Sequence, residues 1–235
     1  MASAADSAIG GAIQVVDAAI QIATQASNTL TTVNTNSSLA QQVQGLLSQM
    51  VNYSRTQVQG QYIFSGDQPE SPYYQLNLAS PQGVDQLLTV AATQQIQDPA
   101  GGSFASAQTA QTIFGAQHPD GTPAAGNVFA ALSNLRSALL GNDTAGITTA
   151  LGDLQSSAAH LNDMQSFYGE VENRVQSAAG YAATRDTQLQ VQMSDIQDAD
   201  VTSDAMLLSQ ANTQLQAAFA AQSQAPKSTL FNYLS

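Results

Sequence analysis

Few residues in this chain could carry out chemistry. Besides seven tyrosines, its titratable side chains are two histidines, seventeen carboxylates and five basic residues, of which Lys227 is the lone lysine. His118 falls in a Pro/Gly-rich stretch and His160 in a helical pattern. Neither has a second histidine four residues away, the spacing that lets one helix face grip a metal. Cysteine is absent, which removes thiolate zinc sites, thiol nucleophiles and disulfides together. A Gly-x-Ser-x-Gly elbow is missing, as is a glycine-rich phosphate loop with its lysine. The densest acids are Asp195, Asp198, Asp200 and Asp204. A calcium loop opening at Asp195 would put Asp200 where a glycine is required and Met206 where a bidentate glutamate is required, so helix capping at a kink suits these acids better. The triplets starting at Asn36, Asn52 and Asn142 match glycosylation acceptors, a pattern that chance supplies in an Asn/Ser-rich chain. With no convergent set of such groups, the expectation is a protein that is not an enzyme, with no catalytic residue, no cofactor and no metal.

Charge and composition point the same way. The formal charge is −12 over 235 residues, which disfavours a nucleic-acid partner. Only 9 % of residues are charged while 43 % are hydrophobic, leaving an exterior of Gln, Ser, Thr and Asn. Such a surface can hydrogen-bond across an interface without burying an unpaired ion. Met1 to Gly11 carry Asp6 and no Lys or Arg, unlike a cleavable secretory signal. Apolar residues are interrupted every few positions, short of the roughly 18 to 20 unbroken ones a membrane span needs. The chain therefore reads as soluble, without a membrane partner, and any export would take a route that leaves no cleaved signal.

The elements that would carry a surface are mostly helical. Ile9, Ile13, Val16, Ile20, Ala23, Ser27 and Leu30 step by three and four, the stripe of an amphipathic helix. After a polar stretch at 31–38, Leu39, Val43, Leu46, Met50 and Tyr53 repeat that stepping in a second helix expected to run to about Gln59. These form a first region, 1–60. Residues 61–127 hold six of the seven prolines and repeated glycines. Gln61–Phe64, Leu76–Leu78, Leu87–Ala91 and Thr93–Gln97 could be short strands there, with a turn at Asp98–Gly102, in a small β-containing lobe.

Helical stepping returns at Val128, Leu132, Leu135 and Leu139 and again from Ile147, giving a region of long helices at 128–199. Within it Leu161, Met164, Tyr168, Val171, Val175, Ala178 and Ala182 alternate by three and four, and after Arg185 the stripe resumes at Leu189, Met193 and Ile196. A repeat of about 3.5 residues marks a coiled-coil seam. A helix from Thr144 to Ala199 would be on the order of 80 Å long, so an elongated molecule is expected. Asp200 or Ser203 is expected to cap a further helix, with Leu208, Ala211, Leu215 and Phe219 on its apolar side, ended by Pro226. The tail adds Leu230, Phe231, Tyr233 and Leu234, an apolar cluster that a partner should bury, so 200–235 reads as an assembly helix and tail.

Four segments, in order along nearly the whole chain, resemble one family. Gly60-Gln61-Tyr62-Ile63-Phe64-Ser65-Gly66 is similar to the turn that leaves the N-terminal helices of hook-associated members of the bacterial flagellin family, and Phe167 to Arg174 resembles that family's long C-terminal helix. Asp195 to Asp200 resembles its step into the terminal helix, and Ser228 to Leu234 its ending. The resemblance implies a mainly α, elongated antiparallel helical bundle or coiled coil with a small β-containing inserted lobe. It implies a structural subunit of the flagellum at the hook-filament junction, secreted through the flagellar type III apparatus.

The implied partners are neighbouring junction subunits in a homo-oligomer, the hook-side junction protein, flagellin and an export chaperone. The assembly contacts would be Leu208, Leu215, Phe219, Leu230, Phe231, Tyr233 and Leu234. The ending at Phe231 to Leu234 favours a junction protein over filament flagellin. Family members also carry a helical segment ahead of the first helix seen here, and without it residues 200–235 are expected to lack a helical partner. Two alternatives remain open: a short filament flagellin, or a helical export adaptor or effector holding a partner helix on the Leu161 to Ile196 stripe.

Overall fold

The computed structural model describes residues 1–28, 33–97 and 101–224, the side chains of Asn28 and of residues 198–200 excepted. Its elements, in chain order, are α1 (Ala2–Asn28), α2 (Val33–Ser54), β1 (Gln57–Val58), β2 (Gln61–Tyr62), β3 (Tyr74–Leu76), β4 (Val84–Gln86), β5 (Gln95–Gln97), β6 (Ser103–Ala105), α3 (Ala110–Phe114), α4 (Val128–Gly141) and α5 (Thr144–Gln224). They divide into two compact units, Met1–Ala178 and Ala179–Ser235. Mainly helical, with a small β-containing lobe, the chain has the fold class its periodicity implies.

In the first unit α2 packs against both α1 and α4, and the start of α5 contributes Ile147, Leu154, Leu161 and Tyr168 to the same core. The buried face of α1 contains Ile9, Val16 and Ala23 as the stepping predicts, but it is centred elsewhere. Ala5, Ala8, Ala12, Val15, Ala19 and Ala26 are buried too, whereas Ile13 and Ile20 are only partly covered. Small side chains let the neighbouring helix come close. At Gly11 an added Cβ would collide with the Tyr53 ring of α2. By length and composition alone α1 is apolar enough to cross a membrane. Here one face of that helix is buried in the core of the first unit.

The second helix is shorter than its stripe suggests. Leu39, Val43, Leu47 and Met50 are buried, and α2 ends at Ser54 instead of continuing to about Gln59. The backbone turns because Gln59 and Gly60 both have positive φ, 53° and 81°. They form the two-residue loop between β1 and β2, where Gln57 pairs with Tyr62 and Val58 with Gln61. Such a loop matches the strand twist when both central residues are left-handed, a geometry glycine adopts freely.

The lobe contains three separate two-stranded antiparallel sheets, β1–β2, β3–β4 and β5–β6. The expected strands at Leu76–Leu78 and Thr93–Gln97 overlap β3 and β5, while Leu87–Ala91 is not a strand and part of the Asp98–Gly102 turn lies outside the described residues. Sheets this small need support from elsewhere. Aromatic rings provide it: Phe64 meets Phe114 of α3 edge-on at 5.4 Å, Tyr74 lies 4.7 Å from Phe129 of α4, and Phe64 lies 6.4 Å from Tyr168 of α5.

The fourth helix follows its pattern closely, with Val128, Leu132, Leu135 and Leu139 all buried. Asn127 caps its start by accepting from the Ala130 N–H at 2.9 Å. Asn142, left-handed at φ 50°, closes its end. α5 then runs for 81 residues without interruption. No new helix starts at Asp195–Asp204, where one was expected, because α5 continues through that stretch. Asp, Ser and Thr disfavour a helix interior by less than about 1 kcal/mol each, and residues 181–224 contain neither glycine nor proline to break it.

Candidate assembly surface

The seam of α5 changes character along its length. Leu161, Tyr168 and Val171 are buried, Val175 is 39 % exposed, and beyond it Leu189, Met193 and Ile196 are exposed. Leu208, Leu215 and Phe219 are 66 %, 54 % and 65 % exposed. Spacings of seven and four bring these three onto one line of the helix, and Leu189, Met193, Ile196 and Val201 fall with them inside an arc of about 140°. The remaining expected contacts, Leu230, Phe231, Tyr233 and Leu234, lie outside the described residues. Burying one such large side chain is worth about 1.5–3 kcal/mol, so the open stripe could drive association. Its charge is one-sided: from Asp186 to Gln224 the sequence has five aspartates and no basic residue.

Within the first unit, a groove of about 660 Å³ opens where the seam ceases to be covered. Met1, Ile63, Ile96, Val171 and Val175 supply its apolar lining, with Glu172 beside them. Tyr168 lines it as well. The Tyr168 hydroxyl accepts the Gln108 backbone N–H at 3.0 Å, tying the lobe to α5. Burial pushes this phenol up to about 12, a rise the Gln108 hydrogen bond partly opposes. Nearby, the Arg174 guanidinium lies 4.5 Å from the centre of the Phe104 ring in β6 and 3.8 Å from Glu170. The cation–π contact is a second tie between lobe and helix. Sequence reasoning placed Tyr168 on the seam and missed this bond; a tyrosine amid buried aliphatic positions was the available signal, since its hydroxyl needs a partner.

The residues considered for chemistry have structural surroundings. His160 Nε2–H donates to the Thr112 carbonyl at 2.8 Å, and its Cβ lies 3.0 Å from where a side chain on Gly126 would begin. The His118 backbone lies in a tight loop, donating to Thr122 and accepting from Gly121. Among the described residues no three His, Asp or Glu side chains are grouped so as to hold a metal. Asp198 and Asp200 have side chains outside that description.

Comparison with known proteins adds three findings. Residues 147–234 match the model of the bacterial flagellin C-terminal helical region, which spans the whole open stripe. No curated protein sequence matches the chain. By structure, it is similar to Xanthomonas campestris FlgL, with a TM-score of 0.68 and 11 % identity over 83 % of this chain and 93 % of that one. It is also similar to Bacillus cereus FlgL, with a TM-score of 0.62 and 14 % identity over 80 % of this chain and 85 % of the other. The flagellar hook-associated protein-3 of Legionella pneumophila gives a TM-score of 0.61 and 15 % identity over 80 % and 93 % of the two chains. At these identities the likeness is one of fold.

Proposed function

We propose that this chain, which carries a flagellin-family C-terminal helical region at residues 147–234 on the fold shared with the FlgL structures, is a non-enzymatic structural subunit of the bacterial flagellum, placed at the hook-filament junction. One observation carries the reading: the stretch matching the flagellin region leaves a long apolar stripe open, including Leu208, Leu215 and Phe219. A helix with its apolar side in water is marginal alone and gains stability when neighbours cover it. Polymerising subunits supply such neighbours. The partners are other copies, the hook-side junction protein and flagellin, with an export chaperone covering the stripe before assembly. Export proceeds without a cleaved signal, and the tail residues Leu230, Phe231, Tyr233 and Leu234 extend the contact.

The exterior rich in Gln, Ser, Thr and Asn supports this reading, because such side chains hydrogen-bond across a contact without burying an unpaired ion. Deleting the gene in the source bacterium tests it. The expected phenotype is cells with hooks but no attached filaments, restored by the full chain and not by one truncated before Ser228. Gold labelling should find a few copies at the base of each filament. Labelling along the whole filament would make the chain a short flagellin instead, and filaments still attached in the deletion strain would end the junction assignment.

A further inference from the structure

Three observations on α5 coincide at one short stretch. Side-chain cover runs out on the approach to it: Val171 is the last buried residue, 173–177 are exposed, and Ala178 is the last half-buried residue before a run of exposed positions. The compact units divide between Ala178 and Ala179. Gly180 follows, and nothing lies within 4 Å of where its Cβ would be, so neither close packing nor a left-handed backbone asks for glycine. From Tyr181 to Gln224 there is no further glycine or proline. Gly180 is thus the weakest helix former between the packed part of α5 and its last described residue.

We infer that α5 has a built-in opening point at Ala178–Ala182, where the helix unwinds locally and re-forms while the turns on both sides persist. Glycine costs the helix more backbone entropy than any residue except proline costs it by other means, and here no tertiary contact offsets that cost. Alanine is the strongest helix former, so Ala178, Ala179, Ala182 and Ala183 hold the adjoining turns and leave Gly180 as the soft position between them. Such a joint would let the stripe-bearing helix meet its neighbours at an angle they set. It is a property of the isolated chain and stands whether or not the chain belongs at the junction.

Amide hydrogen exchange along α5 of the full chain is the test. Amides at 178–184 should exchange faster than those at 164–172 and also faster than those at 190–215. Gly180→Ala should slow the fast group about four- to five-fold, the factor that roughly 1 kcal/mol of helix propensity corresponds to. Gly169→Ala, a glycine of the same helix that also has open space around its Cβ, should leave that group unchanged. Protection that falls smoothly from 180 toward 224 would mean end fraying and overturn the inference. So would an unchanged rate in Gly180→Ala, or an equal slowing by Gly169→Ala.

Discussion

Single side chains decide how the lobe is fastened to the helices. Tyr168 is the clearest case, with its ring in the core and its hydroxyl accepting from Gln108. An unfolded tyrosine ionises near pH 10, whereas this one is held protonated to about 12 by burial. The folded chain therefore resists losing a proton that the unfolded chain gives up. Its stabilising contribution is fully present below about pH 10 and is lost as the pH climbs toward 12. Tyr74, raised further by burial and by Tyr73 beside it, acts in the same direction. Tyr168→Phe should lower stability at pH 8 by about 1 kcal/mol through the lost hydrogen bond. The deficit should shrink between pH 10 and 12, as read from urea unfolding monitored by circular dichroism. A deficit constant across that range would assign the effect to packing alone. Gly11 gives a second prediction: because a Cβ there meets the Tyr53 ring, Gly11→Val should destabilise the first unit by about 1–3 kcal/mol through overpacking, measured by the same unfolding.

Among the elements, boundaries follow caps and turns more than propensity. Asn127 caps α4 through its Oδ1, while its Nδ2 donates to the Ala116 carbonyl at 3.0 Å and to Gln82 at 3.2 Å. Asn127→Ala should cost about 2 kcal/mol, at the upper end for a cap because other bonds go with it. Calorimetry checks this, and a loss under a few tenths would place the helix start elsewhere. Gln59 is the opposite case, a residue at positive φ in a two-residue hairpin loop. Gln59→Asn should stabilise by up to about 1 kcal/mol, and a loss would show that the Gln59 side chain matters more than its backbone. These positions also explain what the sequence made legible. The stripes of α2 and α4 and the seam of α5 could be read because Leu, Val and Met carry the burial. The buried face of α1 runs through Ala5, Ala12, Ala19 and Ala26 at a seven-residue repeat, but alanine carries less hydrophobic weight than isoleucine and so marks a face less clearly in the sequence. The lobe's strands are two or three residues long, too short for alternation to register. At Asp195–Asp204 four acids resembled a helix start, yet without a glycine or proline the helix continues through them.

For the molecule as a whole, the open stripe is the feature that its internal packing does not explain. Leu208, Leu215 and Phe219 were legible as one apolar line because their spacing is helical, and all three are exposed. The groove at Val175 was not legible, since it depends on Ile63 and Ile96 from the lobe meeting the seam. If neighbours in the flagellum cover the stripe, placing charges on it should abolish assembly while leaving the first unit folded, because none of these side chains belongs to the core. The decisive measurement is electron microscopy of deletion cells complemented with Leu208→Asp/Leu215→Asp/Phe219→Asp. Exported amounts are to be matched to those of the unaltered chain. The unaltered chain should restore attached filaments and the triple variant should leave bare hooks, with its protein free in the medium. Attached filaments in the triple-variant cells at normal frequency would contradict assembly through this face.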